Sequence, residues 1–215
     1  MDAEYLLTAT RSARRSLDLD APVDLGDIRE CVRIACQAAN GSNQQSWRWL
    51  VVSDPGLRAR IGDLYRDAYL TVTGGAMVAG MFEADSDAGR LMSSTEWLVE
   101  HMAKVPLLVI PCCQPYLPAF DGDRSFQQAT LYGSIFPAVW NFQLALHTRG
   151  YGTCLTTLHL LREKDTAALL GIPETYVQGG LLPVGRLRAG HAFRPASRRP
   201  VDEVATVDGW DGPPL

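Results

Sequence analysis

The chain has almost no lysine: of its 20 basic residues 18 are arginine, and only Lys104 and Lys164 are lysine. Nor is basic charge in excess. Twenty-four acidic residues leave a formal charge of -4, which argues against a nucleic-acid partner, whose binding surface is basic. No apolar run is long enough for a membrane-spanning helix, so no membrane partner is expected. The start, Met1-Asp2-Ala3-Glu4, is acidic where a signal peptide is basic, and no apolar stretch follows it. Cysteine is sparse and odd in number (Cys31, Cys36, Cys112, Cys113, Cys154), with no C-x-x-C spacing, so neither a zinc site nor a dithiol redox pair is indicated. These absences together predict a cytoplasmic protein with reduced, mostly buried thiols and no metal.

What is present is an ordinary globular composition, 47% hydrophobic and 20% charged over 215 residues. That is enough chain for one domain, residues 1–215, with its own core. Apolar spacing predicts helices over residues 3–16, 25–39 (with Asp24 as N-cap) and 55–70 (after Asp54-Pro55). Residues 47–53 alternate and are β-rich, a strand. Residues 71–90, rich in Gly, Ala and Asp, read as a mobile loop. A helix over 96–103 precedes a continuously apolar strand, 105–113, and a loop then leads to a long helix, 126–149, apolar nearly all round. The pattern ends with a strand over 153–157, a short helix over 161–170 closed by Gly171-Ile172-Pro173, a strand over 180–184 and an arginine-rich tail. Helices and strands interleave with helix in excess, so the class is α/β or α+β.

Four segments carry polar groups in patterns that suit a ligand. In Arg11-Ser12-Ala13-Arg14-Arg15, the arginines at 11 and 15 share one face of the expected helix, either as a phosphate clamp or as a solvated basic face. The turn from Ala39 through Asn40, Gly41, Ser42, Asn43, Gln44, Gln45 and Ser46 to Trp47 offers amides and backbone N–H groups to a planar ligand, or is a helix cap and turn. Gly150-Tyr151-Gly152-Thr153, followed by Cys154-Leu155-Thr156-Thr157-Leu158, sets small and hydroxyl residues just after the long helix. Arg194-Pro195-Ala196-Ser197-Arg198-Arg199-Pro200 is a basic turn near the end.

The order and spacing of these segments, with the E-H-M at 100–102, V-I-P-C at 109–112, T-T-L-H-L at 156–160 and L-L-P-V-G at 181–185, resemble the FMN-dependent nitroreductase family over about residues 4–210, closest to an actinobacterial branch. The resemblance implies an α+β, three-layer nitroreductase-like fold with a central mixed, mostly antiparallel sheet flanked by helices. It also implies an obligate homodimer with FMN at the subunit interface. Arg11 then matches the phosphate-binding arginine, and Arg15 a basic position nearer the ribityl chain and pyrimidine edge. Where many members carry a serine this chain has Ala13, which leaves the role to the Ser12 hydroxyl or the Ala13 backbone N–H. Asn40 and Gly41 match the pair that approaches the flavin from the partner subunit, with Asn43 and Gln45 ordering the loop; Ala39 and Ser46 replace the family's prolines. Leu155, Thr156, Thr157 and Leu158 match the stretch along the ring where a backbone N–H meets N5, and Thr157 stands where some members have Glu. Arg198 matches a late phosphate-binding arginine, with Arg199 as the alternative. His101 falls near a basic pocket position; otherwise it, like His147, His159 and His191, is an ordinary polar residue.

The resemblance implies a ping-pong oxidoreductase. NADH or NADPH supplies a hydride, nitroaromatic, quinone or related acceptors take it, and the flavin rather than a protein nucleophile carries the chemistry. Three other readings stand beside it. One is an FMN-dependent dehydrogenase or ene-type tailoring enzyme of a biosynthetic pathway. Another is a non-catalytic, flavin-sequestering homologue whose 71–90 segment is a lid built on Met77, Val78, Met81 and Phe82. The last is a generic α/β domain with solvated arginines.

Overall fold

The computed structural model describes residues 2–115 and 124–215. A six-stranded sheet runs through the middle of the protein. Its central strand, β3 (Leu107–Cys113), is buried at every residue, as its unbroken apolar run demands. β3 pairs with β2 (Trp47–Val52) from Trp47↔Cys113 to Val52↔Leu108, with β6 (Leu182–Leu187) through Leu107↔Val184, and with the short β5 (Val177–Gln178). β6 in turn pairs with β1 (Leu17–Asp18) and β4 (Tyr151–Thr153). Every pairing among the described residues is antiparallel, so the parallel component that a mixed sheet would have is not found there.

The alternation of β3 sorts the core into two layers. Leu108, Ile110 and Cys112 face a cluster built with α3 (Pro55–Val72) and α4 (Asp87–His101), through Ile61, Tyr65, Tyr69, Leu98 and Val99. Leu107, Val109 and Cys113 face the opposite cluster, with α2 (Leu25–Ala35) and α5 (Arg124–His147), through Ile28, Cys31, Val139, Phe142 and Leu146. Helices therefore cover both faces of the sheet, giving three layers. α1 (Ala3–Ala9) and α6 (Glu163–Leu170) complete the helices.

Local signals account for most boundaries. The Asp24 carboxylate accepts from Gly26 N–H (2.7 Å), and that of Asp54 from Leu57 N–H (2.8 Å) behind Pro55. α6 stops at Gly171, whose φ of 66° closes the last turn back onto the Ala167 carbonyl.

Other boundaries differ from expectation. α1 stops at Ala9 rather than running to 16, because the chain beyond it turns extended and Ala13 N–H bonds the Thr153 carbonyl (2.8 Å). α4 starts at Asp87, nine residues earlier than expected, capped by the Ser86 hydroxyl at Gly89 N–H (2.9 Å). The strand expected over 153–157 is shifted back to Tyr151–Thr153. The loop expected before α5 lies largely outside the described residues.

Candidate functional site

The early end of α1 has a direct consequence for the N-terminal arginines. Residues 11–15 are not helical, so Arg11 and Arg15 do not share a helix face. Arg11, Ser12 and Arg15 are exposed, whereas Ala13 is 1% exposed and packs against β4. A Cβ on Gly152 would lie 2.7 Å from that of Ala13, so only glycine allows this crossing. Ala13 has no hydroxyl, its methyl is buried and its N–H is spent on Thr153; its part is to anchor the segment, and it is not carried into the ligand set.

Arg14, which sequence reasoning passed over, turns inward beside the Cys154 thiol. Burial pushes that thiol up to about 11, against the pull of Arg14. Tyr65 of α3 stands nearby and meets the Thr156 hydroxyl at 3.0 Å. Arg15 instead reaches α4, donating through Nη2 to the Ser93 hydroxyl (2.5 Å) and carbonyl (3.1 Å).

The segment after β4 is oriented by one bridge. Thr156 gives its N–H to the Leu181 carbonyl (3.0 Å) and takes the Leu181 N–H in return (2.8 Å). In an extended chain the flanking residues point their N–H groups the other way. Leu155 and Thr157 therefore turn theirs outward, and neither finds an acceptor among the described residues. The Thr156 N–H is thus spent on Leu181, which leaves the two N–H groups beside it.

The late basic segment lies against the early one. Arg188 N–H bonds the Ser16 carbonyl (2.9 Å), its Nε reaches the Leu17 carbonyl (3.3 Å), and the Tyr5 hydroxyl donates to the Phe193 carbonyl (3.1 Å). Residues 11–17 and 186–199 hold eight arginines and no acid. Of the eight, only Arg186 has a carboxylate within reach, Asp27 at 4.0 Å, among the described residues. Arg194, Arg198 and Arg199 are exposed, and Arg198 donates only to the Ser197 carbonyl within its own turn.

The 40–47 turn sits on the opposite face of the sheet, against α5. Asn40 Oδ1 accepts from Gln45 N–H (2.9 Å), Asn43 Oδ1 from Gln45 Nε2 (3.2 Å), and Gly41 N–H donates to the Ser134 hydroxyl (3.0 Å). The Asn40 carboxamide oxygen thus orders the loop, a role expected of Asn43 and Gln45. Ser42, Asn43 and Gln45 all have φ near +50°, a strained region for residues other than glycine. Between this turn and α5 lies an uncharged cleft lined by Asn40, Gln44, Trp47, Gln114, Leu131 and other residues.

Of these segments His101 approaches only the late one, through a groove shared with Arg188. Its ring stacks on Trp97 (4.4 Å between centroids), its Nδ1 lies 2.7 Å from the Trp97 carbonyl, and it lines a separate groove with Asp18, Asp20, Arg58, Lys104 and Arg188. The middle of the 71–90 segment is tied to α4. One Glu96 carboxylate oxygen accepts from the Tyr69 hydroxyl (2.7 Å), Ala79 N–H (2.8 Å) and Val78 N–H. Burial works against the charge of Glu96, but these three donors outweigh it and hold the carboxyl below its usual range. Ser93 and Glu96 carry no sequence signal, because their partners are remote in the chain. Among the described residues no cluster of His, Cys, Asp and Glu could hold a metal, and no helix is long and apolar enough to cross a membrane.

An α+β, three-layer architecture of this topology is the nitroreductase-like fold. The structure matches a BluB-like flavoprotein from Clostridium difficile 630 at a TM-score of 0.70 and 22% identity, over 96% of this chain and 98% of that one. It matches an iodotyrosine deiodinase bound to FMN and 3-iodo-L-tyrosine at 0.69 and 20%, over 92% and 96%. It also matches an FMN and NADPH-dependent nitroreductase, NfnB, from Sphigopyxis sp. strain HMH at 0.70 and 18%, over 98% and 100%. The nitroreductase family model matches residues 7–186, so the chain belongs to the nitroreductase family. The tail with Arg194, Arg198 and Arg199 lies beyond the matched region.

Proposed function

We propose that the protein is an FMN-dependent oxidoreductase that takes a hydride from NADH or NADPH and reduces nitroaromatic, quinone or related acceptors. One observation carries this reading: among the described residues, seven arginines with no carboxylate partner occupy two acid-free segments that meet antiparallel at Ser16–Leu17 and Leu187–Arg188, and the Leu155 and Thr157 N–H groups have no acceptor. Such a donor set fits a ligand with a phosphate at one end and a planar, hydrogen-bonding ring at the other. Arg11 and Arg198 hold the phosphate, with Arg199 the alternative to Arg198, and Ser12 stands beside them. Arg15 faces the ribityl chain and pyrimidine edge. Leu155 or Thr157 offers its N–H to the ring, flanked by Thr156 and Leu158. FMN, when bound, supplies hydride chemistry; the chain's residues bind and orient it.

The uncharged 40–47 turn faces away from this cluster, which fits its use on a partner subunit's flavin. We read the assembly as a homodimer of single-domain chains, residues 1–215. Trp140 of α5, 39% exposed, and the exposed Leu25 of α2 provide apolar surface for the seam. Five free cysteines, four of them buried, support a reducing compartment such as the cytoplasm.

The decisive test is the visible spectrum of the purified protein and its anaerobic bleaching by each nicotinamide. A yellow protein bleached by either supports the reading; a colourless chain that takes up no FMN refutes it. A second reading, a lidded flavin-binding homologue, is favoured by the Glu96-tethered segment, on which Met77, Met81 and Phe82 stay exposed. A yellow protein bleached by neither nicotinamide would support that instead.

A further inference from the structure

We infer that Ser93 is a positioning residue for the flavin site, acting through Arg15. The assignment rests on the FMN reading above. Arg15 is an exposed arginine, and a free arginine side chain loses considerable rotamer freedom when a ligand fixes it. Here that freedom is already restricted. Both protons of Nη2 are taken by one residue, the Ser93 hydroxyl at 2.5 Å and the Ser93 carbonyl at 3.1 Å, so the planar fork is held at a defined angle to α4. Neither acceptor carries a charge, and no carboxylate is paired with Arg15 among the described residues, so its positive charge stays uncompensated. Nε–H and the Nη1 protons have no acceptor among those residues, so Arg15 keeps single donors on either side of the occupied Nη2. Ser93 thus orders the guanidinium without consuming its charge or its Nε and Nη1 donors.

The support under Ser93 is itself fixed. One turn along α4, Glu96 ties the helix to Tyr69 of α3 and to the 78–79 backbone, while Leu98 and Val99 are buried in the core. One turn before Tyr69, Tyr65 meets Thr156. Arg15 and the ring-facing strip are therefore braced by the same pair of helices. Prior ordering of a ligand-binding side chain raises affinity by removing a cost of binding.

A double-mutant cycle on the full-length chain, stripped of flavin and titrated with FMN, tests this. Ser93→Ala removes the hydroxyl and leaves the carbonyl, so FMN binding should weaken roughly three- to tenfold. Ser93→Thr, which keeps an acceptor oxygen, should bind close to wild type. Arg15→Ala should weaken binding more than Ser93→Ala, and adding Ser93→Ala to Arg15→Ala should cost nothing further, because the hydroxyl acts only through the guanidinium. Equal affinity of wild type and Ser93→Ala, no effect of Arg15→Ala, or additive losses in the double variant would each overturn the assignment while leaving the FMN reading standing. A wild-type chain that takes up no FMN would remove both.

Discussion

At the residue scale, the buried groups are the most sensitive. His159 is fully buried, and neither ring nitrogen has a well-formed hydrogen bond among the described residues. Burial pushes its pKa from 6.5 down to about 4, against a smaller upward pull from Gln178. The unfolded chain therefore binds the extra proton between those values. Stability is undiminished above about pH 6.5 and falls as the pH drops toward 4, by on the order of 3 kcal/mol from this group. His147, lowered by burial and by the charge of His191, adds in the same direction. Urea denaturation at pH 7 and pH 4.5 checks this, and His159→Gln should flatten part of the slope. Gly152 is the second sensitive point. A Cβ there would meet Leu187 at 2.6 Å and Ala13 at 2.7 Å, so Gly152→Ala should destabilise by about 1–3 kcal/mol in the same assay. It should also weaken FMN binding, since it displaces the anchor from which Arg11 and Arg15 project. Charge-assisted contacts to phosphate are stronger than neutral ones, so Arg11→Ala and Arg198→Ala should each cost about 1.5–3 kcal/mol of FMN affinity. Unchanged affinity in both would remove the clamp.

At the element scale, α3 and α4 decide how the 71–90 segment behaves. Composition suggested a mobile loop; in the structure residues 71–72 end α3, residues 87–90 begin α4, and the stretch between carries hydrogen bonds of its own. Its tie to α4 runs through one carboxylate, Glu96, which also draws on Tyr69; burial and that charged neighbour push the Tyr69 phenol up to about 12. Glu96→Ala strands three donors. It should lower stability by about 1–3 kcal/mol, and limited proteolysis should cut residues 73–86 faster. Glu96→Gln keeps an acceptor oxygen and should lie between the two. The same pair shows why some elements were legible and others not. α3 announces itself through Asp54-Pro55, a cap followed by proline in the first turn. The first turns of α4 contain Gly89 and a Ser-Ser-Thr run at 93–95, which hide it, so only its last turns were expected.

At the scale of the whole molecule, the proposed dimer draws on the apolar surface exposed on α5 and α2. Sedimentation should show a dimer, and Trp140→Asp should shift it toward monomer and lose FMN together with the seam, if one site takes residues from two chains. A monomer that holds FMN would contradict the shared site. Family, fold class and the segments that could carry a ligand were determined by the sequence alone, because they depend on local chemistry. Apolar spacing sets the elements, Asp24 and Asp54 set caps, Gly171 ends a helix, and two acid-free stretches hold eight arginines. Which arginine does what was decided only by tertiary structure. Arg11 and Arg15 were expected side by side on one helix. Ala13 N–H instead finds Thr153, 140 residues away, and a bond of that kind outweighs the weak preference of residues 10–16 for helix. That one contact ends α1, buries Ala13, turns Arg14 toward Cys154 and sends Arg15 to Ser93. It could not be read in advance, because the energy that selects it comes from groups that only the folded chain brings together.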